Sequence, residues 1–495
     1  MKKAERLTDE QELDFAAGDE PAAVPADLGP DILSESADAV VEGVHAYSRE
    51  DSWVRPDDPL LRQRLDWWQD QKLGLMMHWG PYSQLGLVES WALSDEDASW
   101  SRQGVDWPVD SETFKKQYFA LNRTFNPVRF QPEQWADLAA EAGFRYLIFT
   151  TKHHDGFCMW DTRLSDYRVT APDCPYHDQP RADICKHLFE AFRQKGLAIA
   201  AYFSKADWRS PAYWAPGMPR GTTTGRGPSY DPQEQPELWE EFVRYTQDQI
   251  MELMEHYGRI DILWLDAGWV SAANGQDIRL GEAVDRARRI QPWLIAADRT
   301  VGGPYENYVT PEQTVPEKPL LIPWESCITL GTSFSFKYED QYKTARQVIR
   351  MLIDVVAKGG NLALNVGPQP DGRLPEGAVR TLRELGVWLK ANGEAIYGTR
   401  PCAPYRQGPF AWTCKGGDRY VFYLPDRENE APQSTILIPE TPGEDLRPVC
   451  QVIWVETGES LEFSQENGRL RITMPAGEAD RPMPPAYVFG LKTSA

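Results

Sequence analysis

The stretch ILWLDAGW, residues 262–269, combines a buried strand with a carboxylate at its end. The run is short, aliphatic and aromatic, which is typical of a strand that is covered on both faces. Asp266 follows it, and burying a carboxylate is costly unless a partner or a function compensates for the lost hydration. Two interpretations stay open at this point: Asp266 caps the start of a following helix, or it serves a site at the strand end.

The same kind of apolar run recurs along the chain and alternates with amphipathic segments. Further strands are predicted at LGLMMHW (73–79), YLIFTTKHHD (146–155), LAIAAYFS (197–204), WLIAADR (293–299) and NLALNVG (361–367). Helices are predicted in PEQWADLAAEAG (132–143), DICKHLFEAFRQKG (183–196), ELWEEFVRYTQDQIMELMEHYG (237–258) and QYKTARQVIRMLIDVVAKGG (341–360). Each helical segment ends at glycine, as a helix C-cap does. The alternation predicts an α/β fold with a parallel sheet wrapped by helices.

Polar residues cluster at the carboxyl ends of several of these strands. They are His78, His153, His154, Asp155, Asp266 and Arg299. Neither a GxGxxG fingerprint nor a P-loop follows any of the strands, so a doubly wound nucleotide-binding sheet is disfavoured. Active sites of (β/α)8 barrels are assembled from the ends of many strands at one rim. We therefore predict a (β/α)8-like barrel.

Changes in composition divide the chain into three predicted parts. Residues 1–50 are acidic and rich in Ala and Pro, which predicts an N-terminal tail with little apolar surface to bury. Residues 51–400 hold the predicted barrel. Residues 401–495 alternate apolar and polar positions around turns, which predicts a small antiparallel β-sandwich.

Charge and composition restrict the class of ligand. The 495 residues carry a formal net charge of −22, which argues against nucleic acid or an anionic membrane as partner. A neutral or sugar-like small molecule fits better. No apolar run approaches the ~20 residues of a membrane helix, and the first residues lack the apolar core of a secretory signal, so we expect a cytoplasmic protein. Seven cysteines without a CxxC pair indicate neither a zinc knuckle nor a redox motif.

Asp266 suits the chemistry of glycoside hydrolysis. Two carboxylates facing one cavity can cleave a glycosidic bond, one as nucleophile and one as proton donor. Trp264 and Trp269 flank Asp266, and aromatic faces commonly cover the apolar side of a sugar ring.

Seven ordered motifs carry a resemblance to a known family. They are GLMMHWG (74–80), TTKHHDGFCMWD (150–161), YFSKADW (202–208), LWLDAGW (263–269), TPEQ (310–313), WESCIT (324–329) and KGGNLALNVGPQPDG (358–372). In this order they resemble the α-L-fucosidases of glycoside hydrolase family 29, over residues 55–400 and with a C-terminal sandwich that is also typical of the family. The resemblance implies a retaining, exo-acting α-L-fucosidase that needs no cofactor and forms a covalent fucosyl-enzyme.

The resemblance also implies roles for the charged residues. Asp266 corresponds to the nucleophile of the family's W-x-D motif. Arg299, which follows the next predicted strand, resembles the active-site arginine that would favour ionisation of Asp266. For the acid/base, Glu312 matches the proton donor of bacterial members. Glu325, in a Trp-Glu pair entering another strand, is the alternative and more typical of a structural carboxylate.

Further residues are expected to bind the sugar. The resemblance assigns fucose hydroxyls to His78, His153, His154 and Glu89, and the enclosing aromatic wall to Trp91, Tyr202, Trp264 and Phe336. A metal site at the His-His-Asp run is disfavoured, because adjacent residues on an extended segment point to opposite faces. The segment 210–232, rich in Gly, Pro and aromatic residues, is a candidate leaving-group loop.

Two other functions stay open from the sequence. One is a glycosidase of a related sugar that lacks the fucose methyl group. The other is a fucose-binding protein without activity, which the presence of both carboxylates disfavours. Linkage preference and oligomeric state are not predicted.

Overall fold

A parallel sheet of seven strands lies at the centre of the main body of the chain. The computed structural model of the protein describes residues 47–94, 99–102, 110–218, 225–425, 434–439, 449–466, 469–475 and 483–493, so the predicted tail lies outside the described residues up to residue 46. The strands are β1 (Leu73–Met77), β2 (Tyr146–Lys152), β3 (Ala198–Ser204), β4 (Ile262–Asp266), β5 (Ile295–Asp298), β6 (Glu325–Thr329) and β7 (Asn361–Val366). All pairings are parallel, in the order β5-β4-β3-β2-β1-β7-β6. The six strands predicted from apolar runs are confirmed as β1 to β5 and β7.

Helices follow most of the strands and cover the outside of the sheet. They are α1 (Pro59–Gln71), α2 (Ser111–Phe119), α3 (Pro132–Glu141), α4 (Ile184–Gln194), α5 (Pro236–His256), α6 (Leu280–Ile290), α7 (Ala345–Ala357) and α8 (Glu376–Asn392). Proline occupies the first turn of α1, α3 and α5, where its missing N–H removes no helical hydrogen bond. At the start of α7, Thr344 and Gln347 form a reciprocal capping box. The four predicted helices are confirmed as α3, α4, α5 and α7.

An irregular segment lies between the edge strands β5 and β6, where an eighth strand would close a regular barrel. Residues 306–313 bridge to Ala297 of β5, to Trp324 just before β6 and to Cys327 of β6. The surrounding stretch contains Pro304, Pro311 and Pro323, among other prolines. Proline has no N–H to contribute to a ladder, so this part of the ring is held by scattered bridges. The fold is therefore the predicted (β/α)8-like barrel with one irregular position.

The inside of the barrel is filled by side chains from all seven strands. Its buried members include Met76, Tyr146, Tyr202, Trp264, Cys327 and Ala363. A second, larger cluster lies between the sheet and the surrounding helices. The barrel interior is thus a packed core that leaves room for a ligand only at its mouth.

The C-terminal part is a β-sandwich, as predicted. Its strands are β8 (Arg400–Gln407), β9 (Phe410–Lys415), β10 (Asp418–Tyr423), β11 (Thr435–Ile438), β12 (Val449–Trp454), β13 (Glu459–Ser460), β14 (Phe463–Glu466), β15 (Arg469–Thr473) and β16 (Tyr487–Thr493). They form a sheet in the order β13-β12-β16-β10-β9-β8 and a smaller one in the order β11-β15-β14. Side chains from both sheets share one core.

The sandwich is attached to helix α7 of the barrel. Arg350 Nε donates to the Pro485 carbonyl at 3.1 Å, and Arg346 Nη1 donates to the Pro484 carbonyl at 3.0 Å. Residues from β9, β10 and β16 also belong to the cluster between sheet and helices. Across the described residues, none of the helices combines the length and the apolarity needed to cross a membrane.

Candidate active site

A pocket opens at the carboxyl end of the barrel. It encloses about 860 Å³ of empty space, including its open mouth. The lining residues are Met76, His78, Glu89, Trp91, His153, Arg226, Trp264, Asp266, Gly268, Trp269, Arg299, Thr300, Glu312, Cys327 and Phe334. Most of the predicted site residues are therefore brought together, although they lie far apart in sequence.

Asp266 is held at the pocket by two hydrogen-bond partners and lies beside a histidine. The Tyr202 hydroxyl donates to Oδ2, and Arg299 Nη1 lies 3.3 Å from Oδ1. His154 Nε2 lies 3.7 Å from Oδ2. Burial would raise the pKa of this carboxyl, but the Arg299 charge and the Tyr202 hydrogen bond outweigh it and lower the pKa to about 2. Asp266 is therefore ionised at neutral pH, as a nucleophile must be.

Arg299 joins the two predicted catalytic carboxylates. While Nη1 contacts Asp266, Nη2 contacts Glu312 Oε2. Arg299 and Glu312 are each less than a tenth exposed. One buried guanidinium thus holds both carboxylates at short range on the same side of the pocket.

Two histidines have tautomers that the neighbouring side chains fix. Ser204 Oγ donates to the Ala206 carbonyl, so it accepts from His154 Nδ1–H, at 2.7 Å. Asn365 Nδ2 donates to the Phe334 carbonyl, so its Oδ1 accepts from His78 Nδ1–H, at 2.8 Å. In both rings Nε2 is therefore the acceptor nitrogen.

Burial keeps these two imidazoles neutral. It lowers the pKa of His78 and of His154 to about 4 each. The Nε2 atom of His154 has no hydrogen-bond partner among the described residues. A neutral ring nitrogen can accept a hydrogen bond from a hydroxyl group, so Nε2 of each ring has the chemistry to do so.

The expectation that His153 and His154 point to opposite faces is wrong. Both follow the end of β2 in a turn, and their ring centroids lie 4.1 Å apart. Ligand-type atoms of the two rings and of Asp266 lie within 4.8 Å of one another. Spacing alone therefore permits a cation here. The fixed positive charge of Arg299 beside Asp266 disfavours a cation, and the absence of a metal stays a prediction.

Backbone strain is concentrated at the pocket. Ala267, Thr300 and Gln313 have φ of 68°, 63° and 48°. Each of them directly follows a member of the charged cluster that Arg299 forms with the two carboxylates. Glu89, a lining residue, has φ of 30°. Positive φ is unfavourable for residues other than glycine, most of all for β-branched Thr300. Strain of this kind persists where surrounding contacts over-determine it, which is typical of functional sites.

Aromatic side chains form the wall of the pocket. Trp264 stacks on Tyr202 at a centroid distance of 5.1 Å, and the Arg299 guanidinium carbon lies 4.9 Å from the Trp264 ring. On another side Trp91 and Trp269 lie 5.8 Å apart. The Arg226 guanidinium carbon lies 5.4 Å from each of their rings.

Four of the predicted residues do not line the pocket: His154 and Tyr202, which instead lie against Asp266, and Phe336 and Glu325. Phe336 is outside the wall, and Phe334, whose ring lies 5.0 Å from that of His78, takes this place. Glu325 is the first residue of β6, at the opposite end of the barrel from the pocket mouth. It is fully buried and does not line the pocket, so its position does not suit an acid/base.

Several supporting residues were not predicted from the sequence. Lys152 at the end of β2 bonds Asp207 at 3.0 Å and Gln249 at 2.8 Å. Asp207 belongs to the loop after β3, so this buried ion pair ties together the loops that carry His154 and Trp208. Of the residues in the pocket wall, Arg226 lies in the segment 210–232, which the sequence predicts as a leaving-group loop and of which residues 219–224 lie outside the described part. Nothing in the sequence around Arg226 indicated that this arginine would line the pocket.

Comparisons with known proteins agree on one family. The sequence profile of the α-L-fucosidase family matches residues 44–394. The plasma α-L-fucosidase of Homo sapiens is 28% identical over 363 residues, which cover 72% of this chain and 73% of that protein. An α-L-fucosidase of Dictyostelium discoideum is 24% identical over 456 residues, covering 86% of this chain and 92% of that protein.

Solved structures give the same result. The α-L-fucosidase isoenzyme 1 from Paenibacillus thiaminolyticus superposes with a TM-score of 0.70 at 28% identity, covering 88% of this chain and all of that one. The Thermotoga maritima α-fucosidase in complex with fucose gives 0.67 at 28% identity, with 88% of this chain covered. The profile match spans well over half of the chain, and the barrel and sandwich are shared. The chain therefore belongs to the α-L-fucosidase family, glycoside hydrolase family 29, and is a retaining glycosidase of that specificity.

Proposed function

We propose that Asp266 is the nucleophile and Glu312 the acid/base with which this α-L-fucosidase removes terminal fucosyl residues from a glycan or glycoside. The observation that carries this proposal is the bridging of both carboxylates by Arg299 inside the pocket. A retaining mechanism requires two carboxyl groups roughly 5 to 5.5 Å apart, whereas an inverting mechanism requires a wider separation that leaves room for a water molecule. Two carboxylates that contact the same guanidinium fit the shorter separation better.

The reaction proceeds in two displacements. In the first, a carboxylate oxygen of Asp266 bonds to C1 of fucose while the bond from C1 to the leaving oxygen breaks and Glu312 gives that oxygen its proton. In the second, Glu312 takes a proton from water, the water oxygen bonds to C1, and the bond from C1 to Asp266 breaks. Each displacement inverts C1, so the configuration is retained overall.

The pocket provides separate surfaces for the hydroxyl groups and the methyl group of fucose. His78 and His154 offer neutral acceptor nitrogens for hydroxyls. Met76, Cys327 and Phe334 are buried apolar lining residues, and we assign the methyl group to them. Sugars without that methyl group leave the apolar surface unfilled, so the α-L-fucoside should be preferred to the α-L-arabinoside.

Azide rescue tests the two assignments with one reagent. Asp266→Gly should lose hydrolysis of aryl α-L-fucosides, regain turnover with azide and yield β-fucosyl azide, because a single displacement inverts C1. Glu312→Ala still forms the fucosyl-enzyme from an aryl fucoside, so azide should yield the α-fucosyl azide after two displacements.

The stereochemistry of the products separates the outcomes. An α-azide from Asp266→Gly would mean that another carboxylate is the nucleophile. For Glu312→Ala, substrates with acidic phenol leaving groups should lose far less kcat/KM than natural disaccharides, since such phenols need little protonation. An equal loss for both classes of substrate would exclude Glu312 as proton donor.

A further inference from the structure

Glu325 is a carboxylate buried in the barrel core, away from the reacting centre. It is fully buried at the start of β6. The Tyr146 hydroxyl of β2 donates to its Oε2, and Trp264 Nε1 of β4 donates to its Oε1, at 3.2 Å. An apolar residue of similar size would fill a barrel core without the desolvation penalty of a carboxyl group. The presence of Glu325 therefore calls for a role.

The Trp264 indole connects Glu325 to the pocket. Its Nε1 edge is held by Glu325, while its ring lines the pocket, stacks on Tyr202 and lies under Arg299. Tyr202 and Arg299 are the two side chains that bond the oxygens of Asp266. A change in the orientation of this one ring would therefore disturb the sugar-facing wall and both partners of Asp266.

We propose that Glu325 is a positioning residue that fixes the Trp264 indole as a wall of the fucose pocket. The proposal rests on the proposed function of the pocket. The alternative of Glu325 as the acid/base does not fit, because its carboxyl group lies at the other end of the barrel. Two features make this anchor effective: Nε1–H is the only hydrogen-bond donor of the indole, and the acceptor lies on a strand rather than on a loop.

The Tyr146 hydrogen bond provides a matched control. Tyr146→Phe removes a donor from the other oxygen of the same carboxylate and leaves the bond from Trp264 in place. Glu325→Leu removes the acceptor for Trp264 Nε1 and for the Tyr146 hydroxyl, and takes away the carboxyl group beside Tyr308. Glu325→Gln keeps a side-chain oxygen that can accept from Trp264 Nε1.

The experiment measures fucose affinity by calorimetry and kcat/KM for a 4-nitrophenyl fucoside and a fucosyl disaccharide. Glu325→Leu should weaken fucose binding by roughly tenfold or more, and lower kcat/KM by a similar factor for both substrates. Glu325→Gln and Tyr146→Phe should both stay within about threefold of the wild type. A loss of kcat/KM confined to the disaccharide would instead indicate that Glu325 is a proton donor. An equal loss of affinity and kcat/KM in Tyr146→Phe would indicate that Glu325 only stabilises the core. Either result overturns the proposal.

A mutant cycle and a spectrum test the coupling directly. In the Trp264→Phe background, Glu325→Leu should add little further loss, whereas an undiminished loss would refute coupling through the indole. If Glu325→Leu does not fold, the indole N–H resonance of Trp264, identified by its disappearance in Trp264→Phe, still decides. The chemical shift of this resonance should change in Glu325→Gln, where an amide replaces the carboxyl acceptor, and should stay the same in Tyr146→Phe. An unchanged chemical shift in Glu325→Gln would contradict the proposal.

Failure of the proposed function would give a different result. A wild-type protein that binds fucose but releases no nitrophenol would refute the assigned catalysis, while the affinities and the Trp264 resonance would still report on Glu325.

Discussion

At the scale of single residues, the pocket depends on histidines that accept hydrogen bonds. His78 and His154 each have a pKa of about 4 and a ring proton directed away from the sugar site. Protonation converts Nε2 from an acceptor into a donor, which cannot receive a hydroxyl hydrogen. Both rings are neutral at pH 7, and the charged forms appear only as pH falls through about 4.

We therefore expect fucose affinity to be constant from pH 7 to about 5 and to fall below that. Asp266, with a pKa of about 2, stays ionised through this range and does not cause the decline. Calorimetric titrations with fucose at intervals of half a pH unit would measure this dependence, and circular dichroism at each pH would verify the fold. A decline centred near pH 6.5, the ordinary pKa of histidine, would contradict the assigned burial.

The roles of site residues were predictable where a polar or charged residue follows a buried strand. Asp266 ends β4 and Arg299 follows β5, and the two lie together as their motifs indicate. The structural place of Glu325 was also indicated by the sequence, because the first residue of a parallel barrel strand lies at the end opposite the site. Phe334 and Phe336 are two residues apart in an irregular segment, where no periodicity distinguishes an inward from an outward side chain.

At the scale of elements, the loops after β2 and β3 must stay together for the histidines to be placed. Gly156 closes the turn after His153 with φ of 78°, and a Cβ there would lie 2.2 Å from Asp207 Oδ1. Gly196, at the end of α4, has a similar φ of 76°, but a Cβ there would meet nothing within 4 Å. The two glycines share the backbone conformation and differ in surroundings.

Alanine substitutions at these two positions make a matched pair. Gly196→Ala should cost about 1 kcal/mol of the free energy of unfolding and leave kcat/KM unchanged. Gly156→Ala should cost more, about 2 kcal/mol or above, and reduce kcat/KM on the order of 100-fold, because it pushes Asp207 away from Lys152 and moves the histidines. Denaturant unfolding and steady-state kinetics would check both. Equal effects of the two substitutions would show that the Lys152–Asp207 pair does not position the site.

Regular elements were largely predictable and the irregular ones were not. Buried strands and glycine-ended helices have strong local patterns, and α7 even carries a capping box. Residues 306–313 have no such pattern, since they are held by long-range bridges to β5 and β6. Glu312 lies in this segment, so its place in the pocket follows from tertiary contacts and not from local sequence.

At the scale of the whole molecule, barrel and sandwich share buried surface and should unfold together. Arg350 of α7 donates to the carbonyls of Pro485 and Pro425 in the sandwich. Arg350→Met keeps the aliphatic stem but leaves these carbonyls without that donor, which costs about 1–3 kcal/mol. Calorimetry should show one transition at a melting temperature lowered by about 2 °C, with kcat/KM unchanged because α7 lies outside the barrel.

Arg383→Met on α8 is the control, since that arginine is exposed and its replacement should change stability by less than about 0.5 kcal/mol. Two resolved transitions in Arg350→Met would show instead that the sandwich unfolds independently.

Attack of Asp266 on C1 of fucose can be observed by mass spectrometry after reaction with a 2-deoxy-2-fluoro-α-L-fucosyl fluoride. The fluorine slows release of the intermediate, so the protein should gain one fluorofucosyl group, located by peptide mapping on Asp266 and absent in Asp266→Asn. A label on Glu312, Glu89 or Glu325 would show that Asp266 is not the nucleophile.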